Sequence, residues 1–152
     1  MDSDQEYALC RTTAEIDAFV RAWQECALPQ RLWTHPAHLT VALWHLTRFD
    51  AAEATLHLRF GIQRFNEACG VEMTPEDGYH ETITLFFVWA VGRFLDKAGR
   101  DRPLPALREE LLQSRWADKR APLAYYSRER IMSWAARTRW VEPDLRPLED
   151  AP

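Results

Sequence analysis

Apolar residues recur along this chain at intervals of three and four, the spacing of a helix that buries one face, and no stretch alternates as a half-buried strand does. Capping chemistry marks the helix starts. Thr12-Thr13-Ala14-Glu15 has the hydroxyl-then-carboxylate spacing in which side chains satisfy free backbone N–H groups of a first turn, predicting a helix over about 13–27, ahead of Pro29. Thr34 followed by Pro36 sets an N-cap before a first-turn proline, where the missing N–H costs nothing, and predicts a second helix to about 49. Asp50 and Glu53 repeat the capping spacing and open a third, which Gly70 ends. Thr74, Pro75, Glu76 and Asp77 combine a cap, a proline and first-turn acids, predicting a long fourth helix over about 74–98 that stops at Gly99. A shorter helix over about 104–115, built around Leu107, Leu111 and Leu112, and a final one over about 128–139, capped by Ser127, complete the set. Pro143 ends regular structure and leaves a loosely packed tail from about 141. The expected fold is therefore all-α: an irregular antiparallel bundle of about six helices, in which short connections make helices two, three and four neighbours.

Composition narrows this picture. A chain of 152 residues suits one domain around one core, here spanning about 12–140, and an apolar share of 47% against 28% charged excludes global disorder. The acidic N-terminus lacks the basic-then-apolar order of an export signal, and the most apolar run, 85–92, falls short of the roughly 20 residues that cross a bilayer. A cytoplasmic protein without membrane contact is expected. Cys10, Cys26 and Cys69 are odd in number and widely spaced, which fits neither a disulfide framework nor a thiolate zinc site. A net charge of −4 disfavours generic nucleic-acid binding, although the segment 115–140 carries a local excess of Lys and Arg interleaved with Trp116, Tyr125, Tyr126, Trp134 and Trp140.

Candidate chemistry comes from polar residues that fall where a bundle wants hydrocarbon. Projected at 100° per residue, Leu39, Ala42, Leu46 and Phe49 form the apolar stripe of the second helix, with His35 inside it and His38 and His45 along one edge. On the third helix, Thr55, Arg59 and Asn66 flank the seam of Leu58, Ile62, Phe65 and Cys69. On the fourth, His80 and Thr84 continue the line of Phe87, Val91, Phe94 and Leu95. A buried polar group without a partner costs about 1–3 kcal/mol, so several converging on one space satisfy each other, a water, a metal or a ligand. The reading that follows is a chamber for a small organic ligand among helices two, three and four, lined by His38, Asn66, His80 and Thr84.

Three chemistries fit such a chamber. In acid–base catalysis of a lyase, isomerase or condensation type, His38 or His80 moves a proton while Glu81 or Asn66 orients the substrate. In a mononuclear site for zinc, iron or manganese, His35, His38, Asp77 and His80 are the ligands, as two i, i+3 pairs. In binding without chemistry, Arg59 or Arg64 clamps a carboxylate between aromatic walls drawn from Trp33, Trp44, Tyr79 and Phe87. Outside the chamber, the helix start at Tyr125-Tyr126-Ser127-Arg128 could hold an anion. The non-enzymatic alternative is an interaction module that docks an acidic partner on its basic, aromatic C-terminal face through Arg128, Arg130 and Arg137. Seven tryptophans also admit a homodimer.

The strings His35-Pro36-Ala37-His38-Leu39-Thr40, Asn66-Glu67-Ala68 and Gly78-Tyr79-His80-Glu81-Thr82 resemble those of a family of short bacterial proteins. The resemblance covers about 33–84 and extends to Tyr126-Ser127-Arg128-Glu129, and it implies no activity.

Overall fold

The computed structural model describes residues 10–149. The acidic residues 1–6, read above as unlike an export signal, and the end of the tail at 150–152 lie outside the described residues. Among the described residues seven α-helices run in the order α1 (Thr13–Gln24), α2 (His35–Arg48), α3 (Ala51–Ala68), α4 (Glu81–Ala98), α5 (Leu104–Leu112), α6 (Arg128–Ile131) and α7 (Trp134–Thr138). Short 3-10 turns at Gln30–Leu32, Arg115–Ala117 and Ala121–Ala124 join them. The all-α bundle expected from the sequence is the observed fold, and no helix among the described residues is long and apolar enough to cross a membrane.

The predicted caps at the first three starts are made. Thr12 accepts from Glu15 N–H at 3.1 Å, Thr34 from Ala37 N–H at 3.4 Å and Asp50 from Glu53 N–H at 2.8 Å. α2 lies at the centre, packed against α4, α3 and α5. Direction alternates along the chain. Trp33 meets Phe65 at one end of the α2–α3 pair and His45 meets His57 at the other, so these two helices are antiparallel. His35 meets Phe87, and Arg100, just beyond α4, donates to the Leu46 carbonyl near the end of α2, so α2 and α4 run the same way.

Trp23 of α1 fills the centre of the core, stacked on Trp33 with ring centroids 5.3 Å apart. Its approach needs a glycine on α3: a Cβ at Gly61 would stand 2.3 Å from the tip of the indole.

Three boundaries differ from expectation. α4 begins at Glu81, because Thr74 closes a local turn with Glu76 and Asp77, and Gly78 then takes a φ of +87°. A side chain at Gly78 would also collide with the backbone of Glu72 and Met73, so the chain reverses where the sequence pattern predicted a helix start. The C-terminal helix breaks in two because the Ser133 hydroxyl accepts from Ala136 N–H and starts α7 afresh. The tail is packed: Leu148 is buried, Leu145 N–H donates to the Tyr125 carbonyl, and Glu149 pairs with Arg93. Thr82 bonds the backbone of Arg139 and Val141, which fastens this C-terminal layer to α4.

Candidate functional site

The bundle is incompletely closed. A cleft of about 620 Å³ opens between α2, α3 and α4, a size that accommodates a small organic molecule. Its apolar walls come from Trp33, Ile62, Ile83, Phe87 and Val88, and His38, Asn66, Tyr79, His80 and Thr84 face the same space. The helical projections thus brought His38, Asn66, His80 and Thr84 to one cleft, and the structure places them there.

Their hydrogen bonding separates them. His38 lies edge-on to Trp33, with ring centroids 3.9 Å apart, and neither ring nitrogen has a hydrogen-bond partner among the described residues. Burial first, and then the neighbouring His35, push its pKa down to about 3, so the imidazole is neutral at physiological pH and offers one N–H and one lone pair. The side-chain amide of Asn66 is likewise without a protein partner among the described residues. Two uncommitted polar groups on adjacent helices therefore face one largely apolar space.

His80 behaves differently. It is the N-cap of α4, where its Nδ1 accepts from Ile83 N–H at 3.1 Å and its Nε2–H donates to the Ile131 carbonyl at 2.7 Å. Both ring nitrogens are committed, and burial, with the charge of Arg137 nearby, holds the pKa below the usual histidine value. The expectation of a proton-transfer role at His80 is corrected on this ground: accepting a proton would break the helix cap. Thr84 also turns partly inward on its own helix and donates to the His80 carbonyl at 2.8 Å.

Glu81 and Arg59 form a closed cluster with Tyr79, which also lines the cleft. Arg59 grips the Glu81 carboxylate through Nε at 2.9 and 3.2 Å and through Nη2 at 2.5 Å, and the Tyr79 hydroxyl donates to the same carboxylate. Burial, and then Glu81, raise the Tyr79 phenol well above its ordinary value. Glu81 is spent on these two partners, and Arg59 is not free to clamp a ligand carboxylate as the sequence suggested. Trp44 is displaced altogether: its Nε1 donates to Asp17 at 2.8 Å and Arg48 lies over its ring, away from the cleft. Phe87 and Trp33 do line the cleft.

The four expected metal ligands do not assemble. His35 Nε2–H donates to the Trp116 carbonyl at 2.9 Å, His80 is committed as described, and Asp77 accepts from Gly78 N–H at 2.8 Å. Among the described residues, no group of three His, Cys, Asp or Glu side chains is arranged to hold a metal. His45, above His38 on α2, is a core residue that donates through Nδ1 to the Val41 carbonyl, and burial lowers its pKa to about 4.

Arg137 lines the cleft although the sequence placed it on a solvated basic face. It is only 5% exposed, and its Nη1 donates to the carbonyls of Asp77, Gly78 and Tyr79 at 3.1, 2.9 and 3.3 Å. No pattern in the sequence marks it, because its partners are main-chain atoms about 60 positions away. In the rest of the basic aromatic segment the aromatic residues other than Trp134 are buried or half-buried, while Arg115, Lys119, Arg120, Arg128, Arg139 and Trp134 are exposed. Trp116, Tyr125 and Tyr126 are buried, and Arg130 donates to the Glu142 carbonyl. The donors at Ser127, proposed above for an anion, are taken by Asp144 of the tail at 2.7 and 2.6 Å.

Comparison of this chain with protein-family models, with curated proteins and with solved structures finds no match.

Proposed function

We propose that the protein binds a small organic molecule in the cleft between α2, α3 and α4, oriented by His38 and Asn66, and that proton transfer to or from that molecule falls to His38. The observation that carries this reading is the pair of unspent polar side chains, on neighbouring helices, in a cleft with Trp33, Ile62, Ile83, Phe87 and Val88 as its apolar walls. Proteins rarely leave such groups unsatisfied unless water or a ligand completes them. The walls favour a body with an apolar or flat face, set against Trp33 and Phe87. The acid–base reading contracts to one residue, since Glu81 and His80 support the scaffold through their own bonds. His38 on its own is a weak base, and a ligand that brings negative charge near the ring raises its pKa and makes it a better one.

The test is native mass spectrometry of the protein equilibrated with a polar metabolite extract. A retained small-molecule adduct is expected in wild type and in Trp44→Phe, and its loss is expected in His38→Ala and Asn66→Ala. An adduct that persists in both cleft variants, or none in wild type, contradicts the proposal.

A further inference from the structure

Arg59 and Arg137 differ in one respect that bears on what the cleft accepts. Arg59 turns the edge formed by Nε and Nη2 onto Glu81, the two-pronged grip that matches a carboxylate. Arg137 is the more buried of the two, yet only its Nη1 is occupied. Its Nε is buried without an acceptor, and its Nη2 has none among the described residues. No Asp or Glu pairs with it there. Asp77 presents its main-chain carbonyl to Arg137 and bonds Gly78 with its carboxylate.

A guanidinium does not shed its proton at any physiological pH, so this charge persists in a nearly dry site. Carbonyl dipoles offset part of the cost and supply no net negative charge. Glu76 and Asp77 also border the cleft, but they are exposed at its rim, where water screens them. The buried formal charge facing the cleft is positive.

We infer that the ligand of the cleft is a small organic acid, whose carboxylate accepts from the unspent Nη2 of Arg137 while His38 and Asn66 bind a hydroxyl or oxo group on its apolar body. This inference rests on the cleft being a ligand site at all, so the experiment separates the two.

Mandelate and mandelamide, and para-hydroxyphenylacetate and its amide, are matched pairs in which a neutral amide of similar shape replaces the charged carboxylate. Each is titrated into nitrogen-labelled full-length protein at neutral pH, following the Nε–H resonance of Arg137 and the side-chain amide of Asn66. The acids are expected to shift both resonances and to bind at least about tenfold more tightly than the amides, the margin of one charge-assisted pair. Arg137→Met, which removes the charge and keeps much of the side-chain length, is expected to abolish most of that preference. Because the resonances are read in wild type, the result stands even if the variant folds poorly. Amides that bind at the cleft as tightly as the acids overturn the organic-acid inference and leave the cleft reading intact. Failure of both members of both pairs to shift any cleft resonance overturns the inference and counts against the cleft reading as well.

Discussion

Two clusters of polar side chains sit within the same half of the bundle and are put together differently. In the Arg59–Tyr79–Glu81 cluster, the carboxylate meets a two-pronged cation and a phenol, and the group is closed on itself. Along the cleft, His38, Asn66 and Arg137 retain bonding capacity that none of the described residues uses. A satisfied cluster fixes helix register, here tying α3 to the start of α4, whereas an unsatisfied one lowers stability unless something else completes it. If the cleft binds a ligand as proposed, this difference separates scaffold from site.

Acid is expected to load this arrangement most heavily. His45 and His38 are neutral in the fold, with pKa values lowered to about 4 and about 3, against 6.5 for an ordinary histidine. The unfolded chain therefore binds more protons below that ordinary value, and stability falls as pH drops from about 6.5 toward the folded-state values. Each of the two contributes about 2 kcal/mol of loss between about pH 7 and pH 5, roughly 4 kcal/mol together, and His80 adds to it with the same sign. Urea melts at the two pH values check this. A bound organic acid reduces the His38 share, because its charge raises that pKa. A flat profile over this range contradicts the assignment of neutral, buried imidazoles.

Removing the hub of the closed cluster comes next. Glu81→Ala strands Tyr79 and Arg59, and a loss of about 3 kcal/mol is expected in urea unfolding, toward the low end for a broken buried pair because Arg59 is partly solvated. A loss below about 1 kcal/mol shows the cluster is not structural. His80→Ala forfeits a helix cap and the bond to Ile131, with an expected cost of about 1–2 kcal/mol. His80→Asn is expected to recover about half of that cost, since asparagine caps helices well. Equal melting of the two variants places the effect elsewhere.

The smallest stability effects belong to the cleft. Asn66→Ala and His38→Ala break no protein hydrogen bond among the described residues, and changes within about 1 kcal/mol are expected, from lost packing. Both are expected to lose ligand binding outright. If either unfolds the protein as readily as Glu81→Ala does, the contrast between scaffold and site fails.

Much of this was legible along the chain. The caps at Thr12, Thr34 and Asp50 act locally, and the helical period alone brought His38, Asn66, Thr84 and Phe87 to one space. What remained hidden depends on contacts distant in sequence or on competition between local signals. Thr74 and Pro75 advertise a helix start more strongly than His80 does, and the positive φ at Gly78 makes them a turn instead. Glu81 reads as a group that orients substrate until Arg59, 22 positions earlier, is folded against it. Arg137 looks like one more surface cation because its partners are carbonyls, which carry no side-chain signature. Trp44 fell outside the cleft because Asp17 of α1 holds its indole elsewhere.

The most direct measurement of the central claim is the imidazole nitrogen spectrum of the wild-type protein during a titration with mandelate. The His38 ring nitrogens are expected to move as the ligand binds, while those of His80 keep the shifts of a fixed tautomer bonded at both positions. Movement of His80 with His38 unchanged, or no movement of either ring, contradicts the account.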